Sequence, residues 1–208
     1  MKTRAASIAA AFALLCTTAL AAEWVPFASE TGRFKSLFPV EPVASARKLP
    51  VGMSEIDYHS FVAVTAKGSI IYTINYSDYP SDIPAAEQQR FLAGARDATL
   101  RGLKGKLAAD TELKVLGHSG REFTIVAENE KKPVLFHTRA FVAGNRMYQL
   151  QIVRMGNTPL DLADAIRFFA HFELPDSGDV VATELSPEEQ LLRESRRQPA
   201  APSSPAAK

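Results

Sequence analysis

Four histidines, one cysteine and three closely spaced glutamates are the residues of this chain whose types could carry chemistry. His59, His118, His137 and His171 are scattered. No two stand at His-x-His or His-x-x-x-His spacing, by which a strand or a helical turn aims two imidazoles at one ion. A zinc-type site needs three or four convergent ligands, so no metal site is expected. His118, in a turn, and His137, in a nearby strand, are the two that folding could still bring together. His118-Ser119-Gly120 sets a hydroxyl beside an imidazole, but it is not the Gly-x-Ser-x-Gly elbow, and neighbours in a tight turn rarely face each other. Glu122, Glu128 and Glu130 read as solvated strand-end charges rather than an acid/base pair. Gly117 and Gly120 are not followed by Lys-Ser or Lys-Thr at phosphate-loop spacing. Tyr58, Tyr72, Tyr76 and Tyr148 alternate along strands and read as sheet core rather than pocket lining. No catalytic residue, no metal ligand and no cofactor is expected.

The elements that would position these side chains are clearest between Leu113 and Leu174. Leu113–Leu116 reads as a short strand, Gly117–Gly120 as its turn, and Glu122–Ala127 as the next strand. The polar segment Glu128–Pro133 connects it to Val134–Val142, where Phe136, Thr138, Ala140 and Val142 alternate with Leu135, His137, Arg139 and Phe141 at the strand period. Gly144-Asn145 predicts a tight hairpin turn, because both residues tolerate positive φ. Met147–Val153 returns. Thr158 is the expected N-cap of a closing helix, with Pro159 at its first position and Asp161 in its first turn. Leu162, Ile166 and Phe169 follow at helical spacing.

The first half reads in the same way. Trp24–Phe27 is an apolar opening, Thr31-Gly32-Arg33 a turn, and Phe34–Phe38 a strand stopped by Pro39. Val43–Leu49 is an edge-type strand. Ile56–Ala63 and Ile70–Tyr76 form a hairpin around Ala66-Lys67-Gly68. A helix is expected from about Pro84 to Leu103, with Phe91, Leu92, Ala95, Ala98 and Thr99 as its buried stripe. The whole is an α+β domain over residues 22–174, large enough for one core.

The chain has 208 residues, 46% hydrophobic and 23% charged, an ordinary composition for a globular protein. Residues 1–21 read as a secretory signal peptide: Lys2 and Arg4, an apolar run from Ala5 to Leu15, then Ala19-Leu20-Ala21 as an A-x-A cleavage site. The run falls short of the ~20 residues that span a bilayer. Cys16 follows Leu15 rather than Gly, Ala or Ser, so lipidation is not expected, and membrane contact would depend on it. It is the only cysteine, which leaves the mature chain with no disulfide and no thiolate. Without Lys2 and Arg4, the 24 basic residues fall below the 23 acidic ones and the net charge is about −1, which argues against nucleic-acid binding. Residues 175–208 read as a polar, Pro/Ala-rich, largely disordered tail. Within it Ser186–Arg197 carries the signals of a short, marginal helix.

Several segments resemble the PsbP/DcrB-like superfamily of exported proteins. They are Gly32-x-Phe34 with Phe38-Pro39-x-x-Pro42, Tyr76-Ser77-Asp78-Tyr79-Pro80, Phe91–Asp97, Gly120-Arg121-Glu122, Gly144–Leu150 and Phe168–Leu174. His171 departs from the pattern, where related sequences often place Ser. The resemblance implies a central antiparallel sheet in an α-β-α sandwich. Its photosynthetic members are extrinsic subunits of the oxygen-evolving complex, and it carries no catalytic motif to transfer.

The reading that follows is an exported, periplasmic, non-catalytic module that binds or supports a protein partner or an envelope complex. The alternative is a small-ligand or lipid-binding periplasmic protein, using a cleft between the sheet and the Pro84–Leu103 helix. An enzyme would be signalled by His118, Arg121 and His137 converging on one pocket.

Overall fold

The computed structural model describes residues 23–52 and 54–175. The expected signal peptide, Cys16 and the expected tail with its Ser186–Arg197 helix lie outside them. Nine strands and two helices follow in the order β1 Val25–Ser29, β2 Phe34–Phe38, β3 Val43–Val51, β4 Ser54–Thr65, β5 Ile70–Asp78, α1 Gln88–Leu103, β6 Lys106–Val115, β7 His118–Asn129, β8 Lys132–Ala143, β9 Arg146–Met155 and α2 Leu162–Ala170. β1 and β2 form a separate hairpin. The other seven strands make one antiparallel sheet, ordered β3-β4-β5-β9-β8-β7-β6. It consists of two meanders, β3–β5 and β6–β9, joined where β5 pairs with β9.

Side chains of paired residues in an antiparallel ladder share a face, so the register sorts the sheet. Tyr72, Ile74 and Tyr76 stand opposite Ile152, Leu150 and Tyr148 on one face. There they pack with Phe34 and Phe38 of the β1–β2 hairpin and with Ala165, Phe168 and Phe169 of α2. Most of this core is aromatic: Phe38 meets Phe168 edge-on at 5.7 Å, and Phe34 stacks on Phe172 at 5.2 Å. On the opposite face, Phe123, Ile125, Ala140, Val142 and Met147 pack under Leu92 of α1. Helix α1 rests mainly on β6, β7 and β8.

Several boundaries differ from the sequence expectation. β6 extends over Lys106–Val115 rather than Leu113–Leu116. Its first part is a largely exposed edge strand without alternation, so the pattern was silent there. The expected turn Gly117–Gly120 shrinks to Leu116-Gly117, both at positive φ, and His118 already belongs to β7. The expected connection Glu128–Pro133 is likewise a two-residue turn, Glu130-Lys131, again with both φ positive. The N-cap of α2 is Asp161, whose side chain accepts from the Ala163 N–H at 2.8 Å, not Thr158, whose hydroxyl bonds the Met155 carbonyl. Pro159 holds the residue before it extended, which delays the helix. In α1, Ala98 is exposed, and the buried stripe continues through Leu100 and Leu103 instead.

Candidate functional site

The hairpin and α2 do not cover the whole of their face of the sheet. Toward the β6–β7 edge they leave a cavity of about 380 Å³, within the usual range of about 300–1,000 Å³ for ligand pockets. Leu135, Ile152, Leu160, Leu162, Ala165 and Phe169 give it an apolar wall, with Ala108 and Ala109 at the β6 side. The register of β6 on β7 shifts between Leu107 and Ala109, so Ala108 bulges from the edge strand at the rim. Bulges of this kind re-aim side chains and recur beside functional sites. The polar side chains of the wall are Thr124, His137 and Arg154.

Behind the wall lies a buried polar cluster. Glu122 pairs across the ladder with Arg139, and Thr124 with His137, which places Glu122, Arg139 and His137 on the cavity's face of the sheet. Arg139 is 1% exposed and Glu122 8%. The Arg139 guanidinium grips one carboxylate oxygen of Glu122 through Nε at 2.7 Å and Nη2 at 2.5 Å. His137 Nε2 reaches the other oxygen at 3.1 Å. The ring of Phe169 lies 4.6 Å from the Arg139 guanidinium and 5.0 Å from the imidazole. Burial alone would push the Glu122 carboxyl up, but the His137 hydrogen bond and the Arg139 charge outweigh it and hold it down at about 2. The carboxylate thereby orients the imidazole through its Nε2.

The residues singled out by sequence are not brought together. His137 lines the cavity. His118 stacks on Phe141 at 6.1 Å, six positions along β7 from His137's partner Thr124. Arg121 lies on the opposite face, bonded to Asp110 and Glu112. Ser119 accepts a hydrogen bond from Lys114. His59 stacks on Tyr76 at 4.5 Å, and the ring of the exposed His171 bonds the Arg167 carbonyl. Among the described residues no group of three or more His, Cys, Asp or Glu is placed to hold a metal ion. Glu122 corrects the sequence reading: it is a buried mid-sheet acid, whereas Glu128 and Glu130 are exposed. Tyr72, Tyr76 and Tyr148 belong to the core, and Tyr58 sits on the other face beneath Arg47. The cleft expected between sheet and α1 is filled by Leu92 and its neighbours, and the cavity lies at α2 instead. Sequence reasoning missed Glu122, Arg139 and Arg154. The signal that could have found them is a Glu and an Arg, both mid-strand, among apolar neighbours.

A second arginine is built in at the far end of the same face. Arg146 binds both carboxylate oxygens of Asp78, at 2.5 and 2.6 Å, and donates to the Thr31 carbonyl at 2.9 Å, beneath the ring of Tyr76. Tyr148 adds a bond to the Gly32 carbonyl. These contacts seat the β1–β2 turn and leave the Arg146 guanidinium engaged by the protein itself.

No protein-family model matches the chain, and no curated protein does. Among solved structures, a protein from Bacteroides thetaiotaomicron VPI-5482 aligns at a TM-score of 0.47 and 11% identity, over 82% of this chain and 56% of its own. The chain thus spans about half the length of that protein. A Pseudomonas aeruginosa protein of unknown function aligns at 0.32 and 12% identity, over 86% of this chain and 99% of its own.

Proposed function

We propose that the chain is an exported binding module, not an enzyme, which holds a small and largely apolar molecule in the cavity beside α2. The observation that carries this is the cavity itself: about 380 Å³ of apolar wall with a few fixed polar groups, the usual make-up of a ligand pocket. The separation of His118, Arg121 and His137 supports leaving catalysis out. The export reading rests on Lys2, Arg4, the apolar run and Ala19-Leu20-Ala21, with the mature chain in the periplasm after cleavage near Ala21. A PsbP-like α-β-α sandwich is the architecture that accommodates helices on both faces of this sheet.

A fluorescence titration with the neutral apolar probe N-phenyl-1-naphthylamine tests the reading. The chain should bind it saturably, and Ala109→Trp, a substitution at an exposed rim position, should abolish binding without changing the melting temperature. Unchanged binding in Ala109→Trp, or no binding at all, would refute it.

A protein partner is the second reading, favoured by the other face of the sheet. There, away from the main α1 packing on β6, β7 and β8, Val43 of β3 and Val64 of β4 are 72% and 49% exposed. A photocrosslinker at position 64, activated in cells, should yield one discrete adduct; a smear or no product removes this reading.

A further inference from the structure

We infer that the ligand of this cavity is a single-chain amphiphile with an oxyanion head, a carboxylate or a phosphate ester, bound by Arg154 with its tail along the apolar wall; this rests on the ligand-binding reading above. The other buried and half-buried arginines of the described residues all have partners. Arg96 and Arg121 share Asp110, Arg139 has Glu122, Arg146 has Asp78, and Arg167 lies over the Trp24 ring at 5.5 Å. Arg154 is half-buried, as are Arg96, Arg121 and Arg167, yet it has no hydrogen bond, ion pair or ring partner among the described residues. It pairs with Leu135 and Ile70 across the ladder, two aliphatic neighbours that offer no acceptor. A half-buried guanidinium forgoes part of its hydration, and a bound oxyanion restores that loss through two parallel hydrogen bonds.

The surrounding acids do not take that place. Both oxygens of Glu122 are occupied by Arg139 and His137. Asp161 caps the Ala163 N–H, and neither it nor Asp164 on α2 makes an ion pair with Arg154. The cation therefore stands at a cavity whose remaining wall is mostly aliphatic and aromatic, which fits an acidic head with an apolar tail better than a free inorganic anion. His137, held by Glu122, adds a polar side chain to the same wall.

The test is calorimetric titration of the full chain, below the micellar concentration, with decanoate, decyl phosphate, decanol and inorganic phosphate. Decanoate and decyl phosphate should bind at least tenfold more tightly than decanol, with a preference that shrinks as salt is added. Inorganic phosphate should bind weakly or not at all. Arg154→Met should remove the preference while decanol still binds, and Arg154→Lys should restore part of it; equal melting temperatures establish that both variants fold. Equal binding of decanoate and decanol overturns the head-group assignment and leaves the cavity reading intact. Tight binding of inorganic phosphate alone overturns the amphiphile. If neither decanol nor the neutral naphthylamine probe binds, both readings fall together.

Discussion

Arg139 and Glu122 form the least exposed ion pair described in the fold, and its value depends on both partners being present. Arg139→Met leaves a buried carboxylate with only His137 beside it, and should cost about 3–5 kcal/mol in urea unfolding at pH 7. Glu122→Leu removes the carboxylate that the Arg139 guanidinium grips through two nitrogens, and should also destabilise the fold. The double variant, Glu122→Leu with Arg139→Met, should be less destabilised than either single one, because no charge is left buried alone. Additive losses would mean that the two side chains act independently, with no coupling energy between them. This cluster was only half legible in the sequence. The alternation in β8 showed that His137 and Arg139 share a face. It did not show that the face is buried, nor that the β7–β8 turn shortens to Glu130-Lys131 and so sets Glu122 opposite Arg139. A register shift of one residue would have sent Glu122 to the other side.

At the scale of elements, the turns and helix ends carry testable strain. Lys104 ends α1 in the left-handed region at φ 50, with its N–H on the Arg101 carbonyl and the Gly105 N–H on the Leu100 carbonyl. Lys104→Gly should stabilise the fold by about 0.5–1 kcal/mol, read as a shift of the denaturation midpoint at constant slope. The next residue behaves oppositely. A Cβ on Gly105 would lie 2.5 Å from Ile125 Cγ2 and 2.9 Å from the Val126 carbonyl oxygen, so Gly105→Ala should cost more than about 1 kcal/mol of stability, read as a lower midpoint. Replacing Glu130-Lys131 by Asn-Gly, residues that adopt positive φ readily, should stabilise the β7–β8 hairpin by about 1 kcal/mol. The Gly144-Asn145 hairpin was legible because its turn residues announce it. The β7–β8 turn was not, since Glu and Lys normally signal solvent rather than a primed turn. The edge strand β6 escaped notice because its first part is largely exposed and so has little reason to alternate.

At the scale of the whole molecule, arginines clamp Glu122, Asp110 and Asp78, and these pairs set its acid limit. Arg146, Arg121 and Arg96 depress Asp78 and Asp110 despite burial, and His137 and Arg139 bring Glu122 from the ordinary 4.5 to about 2. A folded-state pKa below the unfolded one contributes stability that is complete above the unfolded value and is lost as pH falls through the folded one. Stability should therefore be level above about pH 5 and fall steeply toward pH 2, with Glu122 alone accounting for about 3 kcal/mol. A Glu122→Gln variant, less stable at neutral pH, should show a flatter decline over the same window in pH-dependent urea unfolding.

The β5–β9 ladder has a consequence for how the polypeptide can be divided. Before it lie the β1–β2 hairpin and one meander; after it lie both helices and the other meander. Each half would end in a strand whose free edge is complementary in register to the other's and to nothing else in its own piece. Severed in the segment between Asp78 and Gln88, the two fragments would be halves of a split reporter. Asp78 on one would seek Arg146 on the other, and Phe38 would seek Phe168. Their reassembly would be readable as restored signal from any probe cut in two and carried on their new ends.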